Sequence, residues 1–100
     1  MPDKYFFIYL DANDRLRIKI ETLTGEVIYF VVQYETFAGE KWQAVVRYDM
    51  AHGFFHKDTM NPKGVQTKEA INITGLKDAL SFAQQDLKER WPFYKNRFLK

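Results

Sequence analysis

The first quarter of the chain has the pattern of a β-hairpin. Residues 5–10 form a continuous apolar run of strand length that is rich in aromatic side chains. Residues 15–21 alternate between apolar and charged positions, a period of two that is typical of a strand with one buried face. The apolar positions are Leu16, Ile18 and Ile20. Because the residues between the two segments, 11–14, favour turns, we predict an antiparallel hairpin.

The next two segments have the pattern of sheet strands. Residues 26–35 are the most β-prone part of the chain, and apolar side chains fall on both faces between 27 and 32, which predicts a central strand covered on both sides. Residues 37–40 predict a loop of roughly three to five residues. Residues 41–49 predict the following strand. Its alternation places Trp42, Ala44, Val46 and Tyr48 on one face, and Gln43, Val45, Arg47 and Asp49 on the other.

The segment after this strand is rich in turn signals. Gly53 favours a bend or bulge at residues 51–53, and residues 54–60 predict a further short strand. Residues 61–64 place proline and glycine where a tight turn uses them. Residues 65–71 fit either a short strand or the approach to a helix.

The last quarter changes to a helical period. Apolar residues recur at helical spacing and predict a helix over residues 75–90. Thr74 is the expected N-cap, and Asp78 suits the positive end of the helix dipole. Pro92 is expected either to end the helix or to open a second short one. The predicted class is α+β, an antiparallel β-meander of four to six strands packed against a C-terminal α-helix.

Composition indicates one ordered domain. The chain has 100 residues, of which 46% are hydrophobic and 17% aromatic, enough for one core and too apolar for disorder. The absence of cysteine excludes disulfides and thiolate metal sites. No apolar run approaches the roughly 18 residues of a membrane span, and residues 1–4 lack a signal-peptide pattern. We therefore expect a single domain over residues 1–100 that is cytoplasmic and does not enter a membrane.

Residues 47–58 concentrate the side chains that could carry chemistry. This stretch holds both histidines of the chain together with two aspartates and two basic side chains. They are Arg47, Asp49, His52, His56, Lys57 and Asp58. Three interpretations of the stretch are open: a metal site, an acid–base site for RNA, and ordinary surface and turn residues.

A metal site would use two imidazoles and two carboxylates, which suit zinc, manganese or iron. In a straight strand, His52 and His56 would lie roughly 13 Å apart at about 3.3 Å per residue. Only a bend at Gly53 would bring both rings to one ion, so we expect no metal.

An acid–base site for RNA cleavage needs a base, an acid and cations for the phosphate. Histidine fills the first two roles because its pKa lies near neutrality. Arg47 or Lys57 could hold the phosphate, and Asp49 or Asp58 could orient a histidine. In the third interpretation, Arg47–Asp49 and Lys57–Asp58 are surface pairs and the histidines bond to backbone.

Residues 86–100 carry five basic against two acidic side chains, and the tail from Lys88 to Lys100 interleaves its basic side chains with aromatic ones. Such a pattern can bind phosphates and stack on bases. We favour the alternative, in which the aromatic residues dock the tail onto the sheet. These residues are Trp91, Phe93, Tyr94 and Phe98.

Several short motifs together resemble a family of small uncharacterised prokaryotic proteins, and the likeness covers most of the chain. They are Val31-Val32-Gln33-Tyr34-Glu35-Thr36, Lys41-Trp42, Val45-Val46-Arg47-Tyr48-Asp49, Ala51-His52-Gly53 and His56-Lys57-Asp58. A looser likeness, carried by Arg47, Asp49, His52 and His56, is to the TumE-type toxins of toxin–antitoxin pairs. That likeness implies a toxin acting on RNA and neutralised by a helix-turn-helix antitoxin.

The leading hypothesis is an RNA-directed, toxin-like protein, a metal-independent ribonuclease without a cofactor. Its catalytic residues would be His52, His56 and Asp49, and its substrate-binding residues Arg47 and Lys57. RNA and an antitoxin-like protein are the expected partners. The alternative is a non-catalytic binding or assembly module that forms a homodimer through its aromatic sheet face. The residues alone do not decide whether the protein is an enzyme.

Overall fold

A computed structural model describes residues 3–50, 54–64 and 66–100, which form a six-stranded antiparallel sheet and one α-helix. The elements are β1 (Lys4–Asp11), β2 (Asp14–Leu23), β3 (Glu26–Ala38), β4 (Lys41–Asp49), β5 (His56–Met60), β6 (Gln66–Ala70) and α1 (Leu76–Leu99). The strands are hydrogen-bonded in chain order, so the sheet is a simple meander. α1 packs across one face, mainly over β3 and β4. The predicted α+β class is confirmed.

The core lies between α1 and the sheet face beneath it. The alternation of β2 places Leu16 and Ile18 in this core, where both are fully buried, as predicted. β3 is covered on one side only, because α1 lies over a single face. Tyr29 and Val31, on the face away from α1, are partly exposed. β3 is an inner strand of the sheet as predicted, but the prediction that it is covered on both sides was wrong.

Two tight turns connect β2 to β3 and β3 to β4. Thr24 and Gly25 have φ angles of 53° and 81°, and Gly39 and Glu40 have 63° and 67°. Two central residues with positive φ are typical of the turns whose twist matches that of a hairpin. The loop predicted over residues 37–40 is therefore only two residues long, and β3 continues through Phe37 and Ala38.

A bulge at Val45 changes the face pattern of β4. Tyr34 pairs with Val46, but Glu35 pairs with Ala44, which leaves Val45 as the extra residue. One extra residue reverses the alternation on either side of it. Trp42 consequently lies on the face opposite Tyr48, with its ring 5.4 Å from that of Phe37. The prediction that Trp42 and Ala44 share a face with Val46 and Tyr48 was wrong.

The C-terminal helix is longer than predicted. α1 runs through Pro92 to Leu99, so proline neither ends it nor opens a second helix. Tyr94 and Phe98 are buried beyond the proline and hold that part of the helix on the sheet. The N-cap is Gly75 rather than Thr74, with φ 91° and no side-chain capping bond.

Candidate functional site

The sheet face opposite α1, called the open face below, carries two rows of paired side chains that cross all six strands. Residues directly opposed in an antiparallel sheet share a face. The first row consists of Phe7, Arg17, Gln33, Arg47, Asp58 and Lys68. The second row consists of Tyr5, Lys19, Val31, Asp49, His56 and Ala70. The register thus joins an aromatic edge at β1 to the charged residues of β4, β5 and β6.

The charged end of these rows is a compact network around two buried carboxylates. His56 Nε2 lies 2.9 Å from Asp49 Oδ1 and 3.8 Å from Asp58 Oδ2. The Arg47 guanidinium lies 3.5 Å from Asp49 and 3.6 Å from Asp58. Lys68 Nζ is 3.1 Å from the other oxygen of Asp58. Register alone brings these residues together, because Arg47 opposes Asp58 and Asp49 opposes His56.

His56 is enclosed in this network. Its side chain is only 2% exposed, and the Phe54 ring lies 5.4 Å away. His56 Nε2, which lies 2.9 Å from Asp49 Oδ1, is placed to donate a hydrogen bond to that carboxylate. Nδ1 is buried and has no hydrogen-bond partner among the described residues. An aspartate that orients a histidine is an acid–base arrangement, but here the second ring nitrogen faces the protein interior.

The same residues could be considered as a metal site. Ligand atoms of Asp49, His56 and Asp58 lie within 4.8 Å of one another. Such a set of oxygen and nitrogen donors suits zinc or manganese. However, Arg47 and Lys68 already contact the two carboxylates, so two positive charges balance two negative ones. A divalent ion would have to displace both cations, and the geometry therefore favours a charge-paired network.

The structure does not bring all of the predicted site residues together. Lys57 lies on the face covered by α1, where its ammonium donates to the Tyr94 hydroxyl at 2.8 Å. Burial lowers the pKa of Lys57, with Asp86 and Glu69 acting in the opposite direction. Arg47, Asp49 and His56 do share the open face. His52 and the bend predicted at residues 51–53 lie outside the described residues.

A depression adjoins the network on the open face. Its volume is about 340 Å³, at the lower end of the roughly 300–1,000 Å³ of ligand pockets. It is lined by Tyr5, Arg17, Lys19, Tyr29, Val31, Gln33 and Arg47. Arg47 belongs to both features, since it lines the depression and contacts Asp49 and Asp58. The depression and the Asp49–His56 pair are therefore neighbouring parts of one surface.

Charges on the open face are arranged in two layers. Glu35 is buried and receives Arg15 Nε at 2.8 Å and Gln33 Nε2 at 2.6 Å. The Arg17 guanidinium lies 3.9 Å from the same carboxylate and is half exposed. Asp49 and Asp58 are likewise buried beneath Arg47. Buried carboxylates thus hold Arg17 and Arg47 from below, while Lys19 pairs at 3.3 Å with Glu21, which is partly exposed.

Aromatic rings lie among these cations. The Arg15 guanidinium is 4.2 Å from the centroid of Phe7 and 3.9 Å from that of Trp42. Arg17 lies 5.3 Å from the Tyr5 ring. Such distances are those of cation–π contacts, which keep both partners at the surface in fixed positions.

Sequence reasoning missed the aromatic and basic part of this site. The alternation of β2 was used only to predict its buried face, and no role was assigned to Arg15, Arg17 and Lys19 on the other face. In β1, the aromatic residues Tyr5, Phe7 and Tyr9 occupy every second position, opposite these cations. The continuous apolar run around them obscures this alternation. In the tail, Tyr94 and Phe98 dock on the sheet as expected, whereas Phe93 is exposed between Arg90 and Arg97.

The fold and this face define a small α+β protein with one sheet face covered by a helix and the other open. Residues 1–100 match the model of a family described as a domain of unknown function, DUF7718, and the chain belongs to that family. No curated protein and no solved structure matches the chain. In the described residues, no helix has the length and apolar character needed to cross a membrane.

Proposed function

We propose that this protein binds single-stranded RNA on the open face of its sheet. The observation that carries the proposal is the row pattern, in which exposed aromatic rings of β1 lie directly beside the cations of β2. Phe7 opposes Arg17, Tyr5 opposes Lys19 and Tyr9 opposes Arg15. Aromatic rings stack on unpaired bases, and cations between them contact the phosphates. Bases paired in a duplex offer no such faces, which favours a single-stranded ligand.

The arrangement of charges on the open face favours a polyanionic ligand. It disfavours a second copy of the same protein surface as the ligand. The outer cations of the depression are Arg17, Lys19 and Arg47. The carboxylates Glu35 and Asp49 are buried, and Glu21, which pairs with Lys19, is partly exposed, so the cations outnumber the exposed carboxylate. A homodimer that packed open face on open face would bring this cation group against its own copy. Like charges opposed in an interface cost free energy. RNA supplies the complementary charge instead.

A second candidate function is the toxin-like ribonuclease predicted from the sequence. One observation favours it: Arg47 joins the RNA-binding depression to the hydrogen-bonded pair Asp49 and His56. RNA held at Arg47 would place its phosphate next to an imidazole oriented by a carboxylate. The burial of His56 weighs against cleavage in this arrangement, because general acid–base chemistry needs the ring within hydrogen-bond reach of the substrate.

Binding is tested by fluorescence anisotropy with labelled single-stranded and duplex RNA. We expect tighter binding of the single strand and a loss of about tenfold or more in Tyr5→Ala, since stacking contributes roughly 1–3 kcal/mol per base. Phe93→Ala is the matched control, because this exposed ring lies on α1. A loss in Phe93→Ala with none in Tyr5→Ala would contradict the proposal and assign binding to the helix.

Cleavage is tested on the same RNA in the presence of a chelator, with Asp49→Asn and His56→Ala variants whose folding is checked by circular dichroism. Cleavage that persists with chelator and disappears in both folded variants would support the ribonuclease. RNA that binds and remains intact would exclude cleavage under these conditions and leave binding as the function.

A further inference from the structure

The two edges of the sheet are built differently. β6 forms one edge and carries Lys68 and Glu69, and its side chains at residues 67–70 are exposed. Charged side chains on an edge strand oppose pairing with another strand. β1 forms the other edge, and between Lys4 and Asp11 it has no charged residue, no proline and no glycine. Apart from an irregularity in its register between Tyr9 and Asp11, this second edge lacks the usual protection.

β1 also exposes apolar side chains on both of its faces. Tyr5 is 59% exposed, Phe7 39% and Tyr9 61% on the open face. Phe6 is 37% exposed on the opposite face, where α1 packs mainly over β3 and β4. A long edge strand that is apolar on both faces is a template for pairing with a further strand.

The order of residues along β1 matches a second copy of itself. The aromatic residues Tyr5, Phe7 and Tyr9 are arranged symmetrically about Phe7, with a tyrosine two positions away on each side. In an antiparallel pair centred there, Phe7 would oppose Phe7, and Tyr5 would oppose Tyr9 of the other copy. Phe6 would oppose Ile8 on the other face. A register centred on Ile8 would instead oppose Tyr5 to Asp11, so the Phe7 register is favoured.

We propose that β1 pairs antiparallel with β1 of a second copy of this chain about a two-fold axis at Phe7. The two six-stranded sheets then form one continuous sheet with the open faces on the same side. The axis places the aromatic side chains of the two β1 strands next to each other, so the aromatic surface doubles in width. The cation groups of the two copies stay apart. This dimer uses an edge and leaves the open face accessible. It does not depend on RNA binding.

The absence of cysteine from the chain allows a direct test in purified protein without RNA. Side chains directly opposed across an antiparallel pair have Cβ atoms about 5 Å apart, a separation that a disulfide bridges with a small adjustment. Phe7→Cys should therefore form a covalent dimer under mild oxidation. Phe93→Cys, at an exposed ring on α1, is the control and should stay monomeric on a non-reducing gel.

The register and the reversible dimer are tested separately. Tyr5→Cys combined with Tyr9→Cys should cross-link, whereas Tyr5→Cys alone should not. Sedimentation equilibrium should give the dimer mass for the unmodified chain and half that mass for Phe7→Lys, which opposes two like charges at the axis. A monomeric unmodified chain would overturn the proposal. So would a dimer that persists in folded Phe7→Lys, or cross-linking of Phe7→Cys no faster than that of Phe93→Cys.

Discussion

Asp14 joins the first hairpin to the end of α1. Its carboxylate is buried and accepts hydrogen bonds from the Tyr34 hydroxyl at 2.6 Å and the Thr36 hydroxyl at 2.9 Å. The Lys95 ammonium of α1 lies 3.1 Å from its other oxygen. Removing the carboxylate leaves the Tyr34 hydroxyl without this acceptor, which is costly because that hydroxyl remains desolvated.

Asp14→Ala should therefore lower the free energy of unfolding by about 2–4 kcal/mol. Urea unfolding followed by circular dichroism measures this change. Asp11→Ala serves as the control. This residue lies in the same turn but is exposed, and its carboxylate accepts the Ala12 N–H at 2.8 Å, so we expect a loss of less than about 1 kcal/mol. Equal losses in the two variants would contradict the role of the Asp14 network.

The buried tyrosines make stability depend on alkaline pH. Burial, together with the hydrogen bond to Asp86, raises the pKa of Tyr94 to about 12. Burial also raises the pKa of Tyr34 and of Tyr48. Because the ordinary value is 10.0, the folded state favours the neutral phenol of Tyr94. This stabilising contribution is complete below pH 10 and is lost as the pH rises through about 12.

We expect the free energy of unfolding to fall between about pH 10 and pH 12, and to fall less in Tyr94→Phe, which has no phenol to ionise. Tyr94→Phe should also be less stable at neutral pH, because Lys57 and Asp86 lose their shared hydroxyl. Urea unfolding across this pH range measures both effects. An unchanged pH dependence in Tyr94→Phe would show that other groups cause the alkaline loss.

At the scale of the elements, α1 depends on a few buried positions. Leu87 is fully buried in the core, whereas Leu99 in the last turn is about half exposed. Leu87→Ala should lower the free energy of unfolding by roughly 2–5 kcal/mol, the range for a buried leucine whose removal leaves a cavity. Leu99→Ala removes the same atoms from the same helix and should cost less than about 0.5 kcal/mol. Similar losses in urea unfolding would mean that helix propensity, not burial, controls this element.

The strands were predictable where a local pattern determines them. The strict alternation of β2 predicted its buried face, and the period change after β6 predicted α1. The bulge at Val45 was not predictable, because it arises from the pairing of β4 with β3 and moves Trp42 to the open face. Pro92 was expected to interrupt the helix, but buried contacts of Leu87, Tyr94 and Phe98 on either side of it outweigh that local preference.

The candidate site was predictable in part for the same reason. The spacing of Arg47 and Asp49 along one strand predicted that they lie side by side, and they are in contact at 3.5 Å. Lys68 joins their network only through the register of β5 with β6, which no local pattern specifies. Lys57 follows His56 directly and therefore faces the other side of the sheet. The depression requires four strands in register, so the sequence did not predict it.

At the scale of the whole molecule, the proposed RNA site lies on one side of the sheet and the basic end of α1 lies on the other. The depression offers three cations, Arg17, Lys19 and Arg47. The helix offers a second basic group that includes Lys88 and Arg97. Each phosphate neutralised on a single strand contributes about −0.7 to the slope of log affinity against log salt concentration. The slope therefore gives the number of cations that contact RNA. Its change in variants shows on which side of the molecule these cations lie.

For binding at the depression we expect a slope of about −2, since three cations contribute about −0.7 each. Arg17→Ala should reduce the magnitude of the slope by about 0.7, and Lys88→Ala, an exposed lysine on α1, should leave it unchanged. The measurement is fluorescence anisotropy of labelled single-stranded RNA over a series of salt concentrations. If Lys88→Ala flattens the slope and Arg17→Ala does not, the helix is the RNA surface and the open face serves another ligand. If both variants flatten it, the RNA contacts both sides, and a single strand confined to the depression is excluded.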